Sequence, residues 1–322
     1  MVSVLITGGA GFLGCHLASS LAATGSDVTI LDNLFRTGGV DSRLKEILAL
    51  PRVKFVKSDL SDPASWTNLS GDFDYVYHFA GINGTKFFYE IPYEVMRVNL
   101  TSTMNLLEWL RRGFSGKLIL ASTSELYAQA VDAGIAPLPT PEDSPVLFSD
   151  RGNPRWSYAS SKLTNELLTT YLSRLVSFKF SIVRYHNVYG PRMGHQHVVP
   201  EIFGRLKENG RRIDVHGADN TRSFCFVEDA ILATTRVAES NVTDGEVINI
   251  GNDQEEISIE NLVRMIAHIM GLAPELKKLP APPGSVSRRV PALGKLRRLT
   301  GFNPSVSLES GLRRTIDSYE KE

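Results

Sequence analysis

Thr7-Gly8-Gly9-Ala10-Gly11-Phe12-Leu13-Gly14 follows directly on the apolar run Val2–Ile6. Glycines recur at 8, 11 and 14. A strand, a glycine turn and a helix in that order make a seat for a pyrophosphate. Gly8 permits the tight turn, Gly11 lets backbone approach a phosphate, and Gly14 lets helix pack closely on strand. Phe12 and Leu13 open the helix, whose free N–H groups face the anion. Glycine spacing alone says little. The apolar run before it and the helical pattern after it make this a nucleotide-binding turn.

The pattern repeats outward from there. Short apolar runs at 2–6, 27–31, 53–56, 75–79, 117–121 and 179–183 read as strands. Amphipathic stretches at 12–23, 42–48, 95–112 and 158–175 read as helices. Alternation of this kind predicts an α/β fold, a Rossmann-type doubly wound parallel sheet with helices on both faces. Its ligands sit beyond the carboxyl ends of the strands. Pro137, Pro139, Pro141, Pro145 and Pro154 crowd the connection before the 158 helix, which reads as a long functional loop. Further helices are predicted at 198–209, 227–238, 259–270 and 308–319, with a proline-rich break at 280–284. We assign residues 1–183, with about 226–250, to the nucleotide-binding domain. Residues 184–225 and 251–322 form a smaller α/β substrate-binding domain on its C-terminal side.

Composition narrows the class. The 322 residues are 42% hydrophobic, enough for a large core. Lys plus Arg and Asp plus Glu are both 35, so the net charge is zero. That balance favours neither nucleic acid nor a membrane surface as partner. Two cysteines, Cys15 and Cys225, make no disulfide framework. The first strand starts at residue 2 and no apolar run is long enough to span a bilayer. The expectation is a cytoplasmic protein. His195 and His197 form no metal site without an acidic or cysteine cluster, so no metal is expected.

The second strand ends in Leu31-Asp32-Asn33, 18 residues past Gly14. A carboxylate there can accept hydrogen bonds from an adenosine ribose and repels a 2′-phosphate, which favours NAD. Arg36 lies close enough to soften that preference. The third strand runs into Ser58-Asp59-Leu60, where Asp59 is placed to meet the adenine amino group.

Tyr158-Ala-Ser-Ser-Lys162 places a phenol and an ammonium on one helix face. The lysine favours the phenolate, so Tyr158 is expected to act as a base nearer neutral pH. Ala121-Ser122-Thr123-Ser124-Glu125-Leu126-Tyr127 closes the fifth strand. In an extended chain Thr123 and Glu125 project to one side. Thr123 can hydrogen-bond a substrate hydroxyl. Glu125 adds a carboxylate that plain hydride transfer does not need, and it suggests a second acid/base.

These strings, together with HFAG at 78–81, VNL at 98–100, RYHNVYGPR at 184–192 and RSFCFVEDA at 222–230, resemble the extended short-chain dehydrogenase/reductase family of NAD-dependent nucleotide-sugar enzymes. The resemblance spans nearly the whole chain. It implies that Phe79, Ala80, Gly81, Asn99 and Ser122 line the nicotinamide side, and that Thr123, Tyr158 and Lys162 carry catalysis, with Lys162 also on the ribose. It implies a nucleotide-diphosphate sugar substrate, with Asn187, Arg222 and Arg289 (or Arg288) on the diphosphate and His197 and Val198 in the substrate loop. Asn83, Gly84, Thr85 and Lys86 are candidate sugar contacts. It further implies a homodimer through a four-helix bundle built from the 95–112 and 158–175 helices.

The implied chemistry is oxidation, commonly at C4, to a keto intermediate. Epimerisation, dehydration or decarboxylation follows, and the hydride returns. Ser-Thr-Ser-Glu is similar to the strings of GDP-mannose 4,6-dehydratases and UDP-glucuronate decarboxylases. Ala128, Gly81 and Ala292 depart from the family pattern. The reading is therefore an epimerase or dehydratase, with a decarboxylase or a net dehydrogenase releasing NADH as alternatives.

Overall fold

The computed structural model describes residues 1–67, 69, 72–281 and 285–321. Its first half alternates β1 (Ser3–Thr7), α1 (Phe12–Ala23), β2 (Asp27–Asp32), α2 (Ser42–Leu48), β3 (Val53–Lys57) and β4 (Tyr75–His78). Then come α3 (Thr85–Glu90), α4 (Pro92–Leu110), β5 (Lys117–Thr123), α5 (Ala128–Asp132), α6 (Trp156–Ser173) and β6 (Lys179–Tyr185). The second half holds β7 (Val188–Tyr189), α7 (Val198–Glu208), β8 (Arg212–His216), β9 (Thr221–Ser223), β10 (Cys225–Phe226), α8 (Val227–Glu239) and β11 (Val247–Ile250). It ends with β12 (Glu256–Ser258), α9 (Ile259–Ile269), β13 (Glu275–Leu279), β14 (Arg288–Arg289), α10 (Gly294–Thr300) and α11 (Leu308–Glu320).

Seven strands form one sheet in the order β11-β6-β5-β4-β1-β2-β3. Every pair in it is parallel. The order reverses between β1 and β4, and a crevice for a ligand opens there at the carboxyl ends. β5 is buried at every position, as a central strand covered on both faces must be. Residues 227–250 supply a helix and the edge strand of this sheet. The remaining second-half strands pair in three small sheets, β10-β7, β12-β9-β14 and β13-β8.

Most predicted elements form within two or three residues of their expected bounds. α4 starts at Pro92, earlier than residue 95, because a first-turn position needs no N–H. Residues 85–90, where no helix was expected, form α3 behind Gly84, whose φ of 136° favours glycine. The short strands β7 to β10 and β12 to β14 carry too little periodicity to read from sequence. The proline-rich break lies partly outside the described residues. No helix among the described residues is long and apolar enough to cross a membrane.

A buried ionic network supports the strand ends. Arg184 at the end of β6 grips Glu166 of α6 through two bonds, 2.9 and 2.6 Å long. Glu166 also accepts from the Ser122 hydroxyl, and Arg184 reaches the Tyr127 hydroxyl at 2.6 Å. Both partners are buried. Removing one leaves an uncompensated charge, so Glu166→Leu is expected to cost about 3–5 kcal/mol in urea unfolding. The double variant Glu166→Leu/Arg184→Leu loses less. Equal losses in single and double variants would contradict the pairing.

Candidate active site

A cavity of about 510 Å³ lies over the carboxyl ends of β1, β4 and β5. Its floor is the glycine turn. Gly8 has φ +68°, and a Cβ there would sit 2.6 Å from the Ala80 nitrogen. A Cβ on Gly14 would sit 2.4 Å from the Gly8 carbonyl oxygen. Gly11 caps α1 without a side-chain bond, so the first-turn N–H groups stay open to a ligand. Gly8, Gly11, Phe12, Leu13 and Gly14 all line the cavity. This cradle fits a dinucleotide's phosphates. Arg192, which the sequence reading did not single out, braces the turn by donating to the carbonyls of Ala10 at 2.9 Å and Gly11 at 3.3 Å.

The adenosine end is more tied up than predicted. Asp32 accepts from the backbone N–H of Ala10 at 3.0 Å and of Leu34 at 2.7 Å. Burial raises its pKa and those two bonds oppose the rise. Asn33 caps Phe35 N–H at 2.9 Å. Asp59 takes the Ser61 N–H and hydroxyl, and the Leu60 carbonyl accepts from Trp66 and Asn105. Asp32, Asn33, Asp59 and Leu60 shape the strand ends by these local bonds, which leave acceptor positions on both carboxylates. Arg36 is on the wall, donating to the Arg192 carbonyl.

At the chemical end, Phe79, Gly81, Asn83, Thr85, Ser122, Thr123, Glu125, Tyr158, Lys162, Asn187, His197, Val198, Arg222 and Arg289 line the same cavity. Ala80, Asn99 and Gly84 lie behind the wall. Asn99 accepts from Ile82 N–H at 2.7 Å and returns a 3.3 Å bond to its carbonyl, so it pins the loop after β4. Lys86 is displaced from its expected role. It lies on the surface, 3.7 Å from Glu90 one helical turn on.

Two expectations fail. The chain does not stay extended after Thr123. It turns into a short 3-10 segment at Ser124–Tyr127, with the Thr123 hydroxyl accepting from Glu125 N–H at 3.1 Å. Nor does Lys162 hold the phenol near neutral pH. Its ammonium donates to the Ala121 carbonyl at 3.0 Å and lies 5.8 Å from the Tyr158 ring centre. Burial pushes the phenol's pKa well up, the Glu125 charge adds to this, and a hydrogen bond from Thr123 opposes it. Burial lowers Lys162 to about 8. The phenol is protonated here, and the Thr123 hydroxyl is the neighbour that favours its anion.

Glu125 is the second departure in chemistry. Arg155 holds one carboxylate oxygen at 3.0 Å and Arg289 the other at 2.9 Å. Burial alone would raise its pKa, but the two guanidiniums win and hold it at about 2. It is a fixed carboxylate, not a proton donor. Arg155 was missed, though its position three residues before Tyr158 puts it on the same helical face. Arg222 lies nearby, its guanidinium donating to backbone carbonyls including Thr221 at 2.7 Å. Burial lowers Arg222 to about 9, and the Arg289 charge adds to the fall. The Nε atoms of Arg155 and Arg289 are buried and find no partner among the described residues. Arg36, Arg155, Lys162, Arg222 and Arg289 outweigh Glu125 and Glu201 on this wall, so it favours anions. Among the described residues no cluster of three His, Cys, Asp or Glu side chains is placed to hold a metal.

The depressed pKa of Glu125 has a pH consequence. Its stabilising contribution is full above its ordinary value of 4.5 and drains away as pH falls towards about 2. Over that window the parent is expected to lose more urea stability than Glu125→Gln does. Parallel losses would contradict an ionised clamp.

Comparison with known proteins agrees with this architecture. Residues 4–251 match the model of the "NAD dependent epimerase/dehydratase family". The chain is 34% identical to a UDP-N-acetyl-alpha-D-glucosaminuronate decarboxylase of Bacillus cytotoxicus, over 98% of this chain and 97% of that protein. It is 30% identical to UDP-glucuronic acid decarboxylase 1 of Xenopus tropicalis, over 99% of this chain and 72% of that one. Among solved structures, UDP-glucose 4-epimerase of Thermotoga maritima superposes with a TM-score of 0.87 at 26% identity, covering 99% of both chains. UDP-glucuronic acid 4-epimerase of Bacillus cereus, solved with UDP-glucuronic acid and NAD, gives 0.84 at 26% identity, again over 99% of both. The chain belongs to the NAD-dependent epimerase/dehydratase family.

Proposed function

We propose that this enzyme decarboxylates a nucleotide-linked uronic acid through a 4-keto intermediate. The observation that carries the reading is the trio Arg155, Arg222 and Arg289 around one ionised Glu125 on the cavity wall. A neutral sugar nucleotide brings only its diphosphate to such a wall. A uronate brings a second anion, and guanidinium forks suit both groups. Arg222 and Arg289, with Asn187, take the diphosphate. Arg155, one turn ahead of Tyr158, takes the sugar carboxylate. The 34% identical uronate decarboxylase supports this assignment.

The residues divide the work as follows. Thr123 hydrogen-bonds the C4 hydroxyl, and Tyr158 as phenolate takes its proton. NAD, held at the glycine turn, would supply a hydride acceptor there. Once C4 is a ketone, the neighbouring carboxylate is a β-keto acid. The bond to the carboxyl carbon breaks, its electron pair passes to the C4 oxygen, and carbon dioxide leaves. C5 takes a proton from water in place of the lost carboxyl group, and Tyr158 returns its own proton to O4 as the ketone is reduced. Decarboxylation needs no acid for its leaving group. Dehydration does, and Glu125 is held as the carboxylate. This argument favours loss of carbon dioxide over loss of water.

Incubation with UDP-glucuronate and related uronates, followed by mass spectrometry, tests the reading. The expected product is lighter by the mass of carbon dioxide, without accumulation of NADH. An unchanged mass with an altered proton spectrum identifies a 4-epimerase, the activity of several structural neighbours. Loss of water identifies a dehydratase, and loss of hydrogen with free NADH a dehydrogenase. Any of these three overturns it. Tyr158→Phe is expected to lower kcat by about 10²–10⁴-fold.

We also propose a homodimer through α4 and α6. Met96, Met104, Leu167 and Tyr171 on these two helices are exposed large side chains. Light scattering is expected to report twice the chain mass, and Leu167→Glu/Tyr171→Glu a single chain. A monomeric parent would refute the assignment.

A further inference from the structure

Helix α3, which follows β4, carries two adjacent aromatic rings that face different parts of the cofactor groove. Phe88 is buried, and its ring stacks on Tyr158 with centroids 4.9 Å apart and planes 13° apart. Phe87 instead meets Phe35, with centroids 5.8 Å apart and planes tilted by 50°. Phe35 follows β2, and Phe87 follows β4. In the sheet, β1 lies between those two strands, and its glycine turn is the phosphate cradle. The Phe35–Phe87 contact therefore bridges the two loops that flank the cradle. All four rings line the cavity.

The loop is fixed at its root and turned at its middle. Asn99 holds Ile82 through both backbone groups. Gly84 then redirects the chain, and its carbonyl accepts from Phe87 N–H at 3.0 Å and Phe88 N–H at 3.3 Å. Nothing in the packing requires Phe35 to be apolar, for it is 54% exposed. An exposed phenylalanine touching a second one over a binding groove calls for a reason beyond core packing.

We propose that Phe87 and Phe88 form a clasp over the cofactor groove. Phe87 closes on Phe35 above the glycine turn and slows escape of the bound dinucleotide. Phe88 is a positioning residue that fixes the plane of the Tyr158 ring. The two functions sit on neighbouring residues, so cofactor retention and phenol alignment are set by one segment. This deepens the reading of an enzyme that returns its hydride in every turnover and rests on that reading. Such a cycle fails whenever the reduced dinucleotide leaves before the hydride goes back.

The retention arm uses NADH-loaded protein diluted into excess NAD, with loss of bound NADH fluorescence as the readout and no sugar nucleotide present. Phe35→Ala and Phe87→Ala are each expected to release NADH about three- to tenfold faster than the parent. The double variant is expected to match the faster single variant, because both remove one contact. A change below threefold in either single variant, or fully additive effects, overturns the clasp. Because this arm needs no turnover, it can succeed or fail whichever product the uronate gives.

The alignment arm compares Phe88→Leu with Phe88→Tyr on whichever sugar nucleotide the enzyme turns over. Phe88→Leu is expected to lower kcat at least fivefold with KM within twofold of the parent. Phe88→Tyr, which keeps the stacked ring, is expected to restore kcat to within twofold. Parental kcat in Phe88→Leu, or no rescue in Phe88→Tyr, overturns the positioning role. Phe35 is exposed, so its variant gives a readout even if the Phe88 variants do not fold.

Discussion

One partly buried carboxylate holds the site together. Glu125 lies just past the end of β5, Arg155 stands at the start of α6, and Arg289 belongs to β14 in the second half of the chain. Their ion pairs join three segments far apart in sequence. A carboxylate taken out of water is unfavourable unless charged partners surround it, and each partner lost leaves an exposed imbalance. The two guanidiniums resolve this by keeping Glu125 ionised. The consequence reaches the chemistry. A group that the sequence offers as an acid becomes a fixed negative charge, and the arginines it gathers become a seat for other anions.

The same charge bears on the phenol. Tyr158 is buried between the stacked Phe88 ring and the end of β5, and Glu125 adds to the bias against its anion. Thr123 is the local group that favours the phenolate, and Lys162 is engaged with the Ala121 carbonyl. The phenol is thus held in its protonated form.

Much of this was legible in the chain because it depends on local rules. The glycine turn, the strand–helix alternation and the Tyr158–Lys162 spacing follow from backbone sterics and helical period, and α1 and α2 occupy their expected residues. What was not legible depends on where the folded chain turns each side chain and on contacts between distant segments. Asp32 and Asp59 read as ligand groups, and each also accepts from nearby backbone donors, bonds that spacing does not show. Lys86 read as a sugar contact, but α3 formation turned it outward to Glu90. The Glu125 clamp needs Arg289 from 164 positions away, which no spacing rule anticipates. The stacking of Phe88 on Tyr158 was hidden for the same reason.

The most direct measurement is the affinity of NAD-loaded Tyr158→Phe enzyme for two sugar nucleotides that differ only at C6. Calorimetry with UDP-glucuronate and UDP-glucose removes turnover from the comparison and reads the charge preference of the wall. An arginine seat for a second anion predicts that the uronate binds about tenfold tighter or better. Equal affinity, or tighter binding of the neutral sugar, would contradict the account.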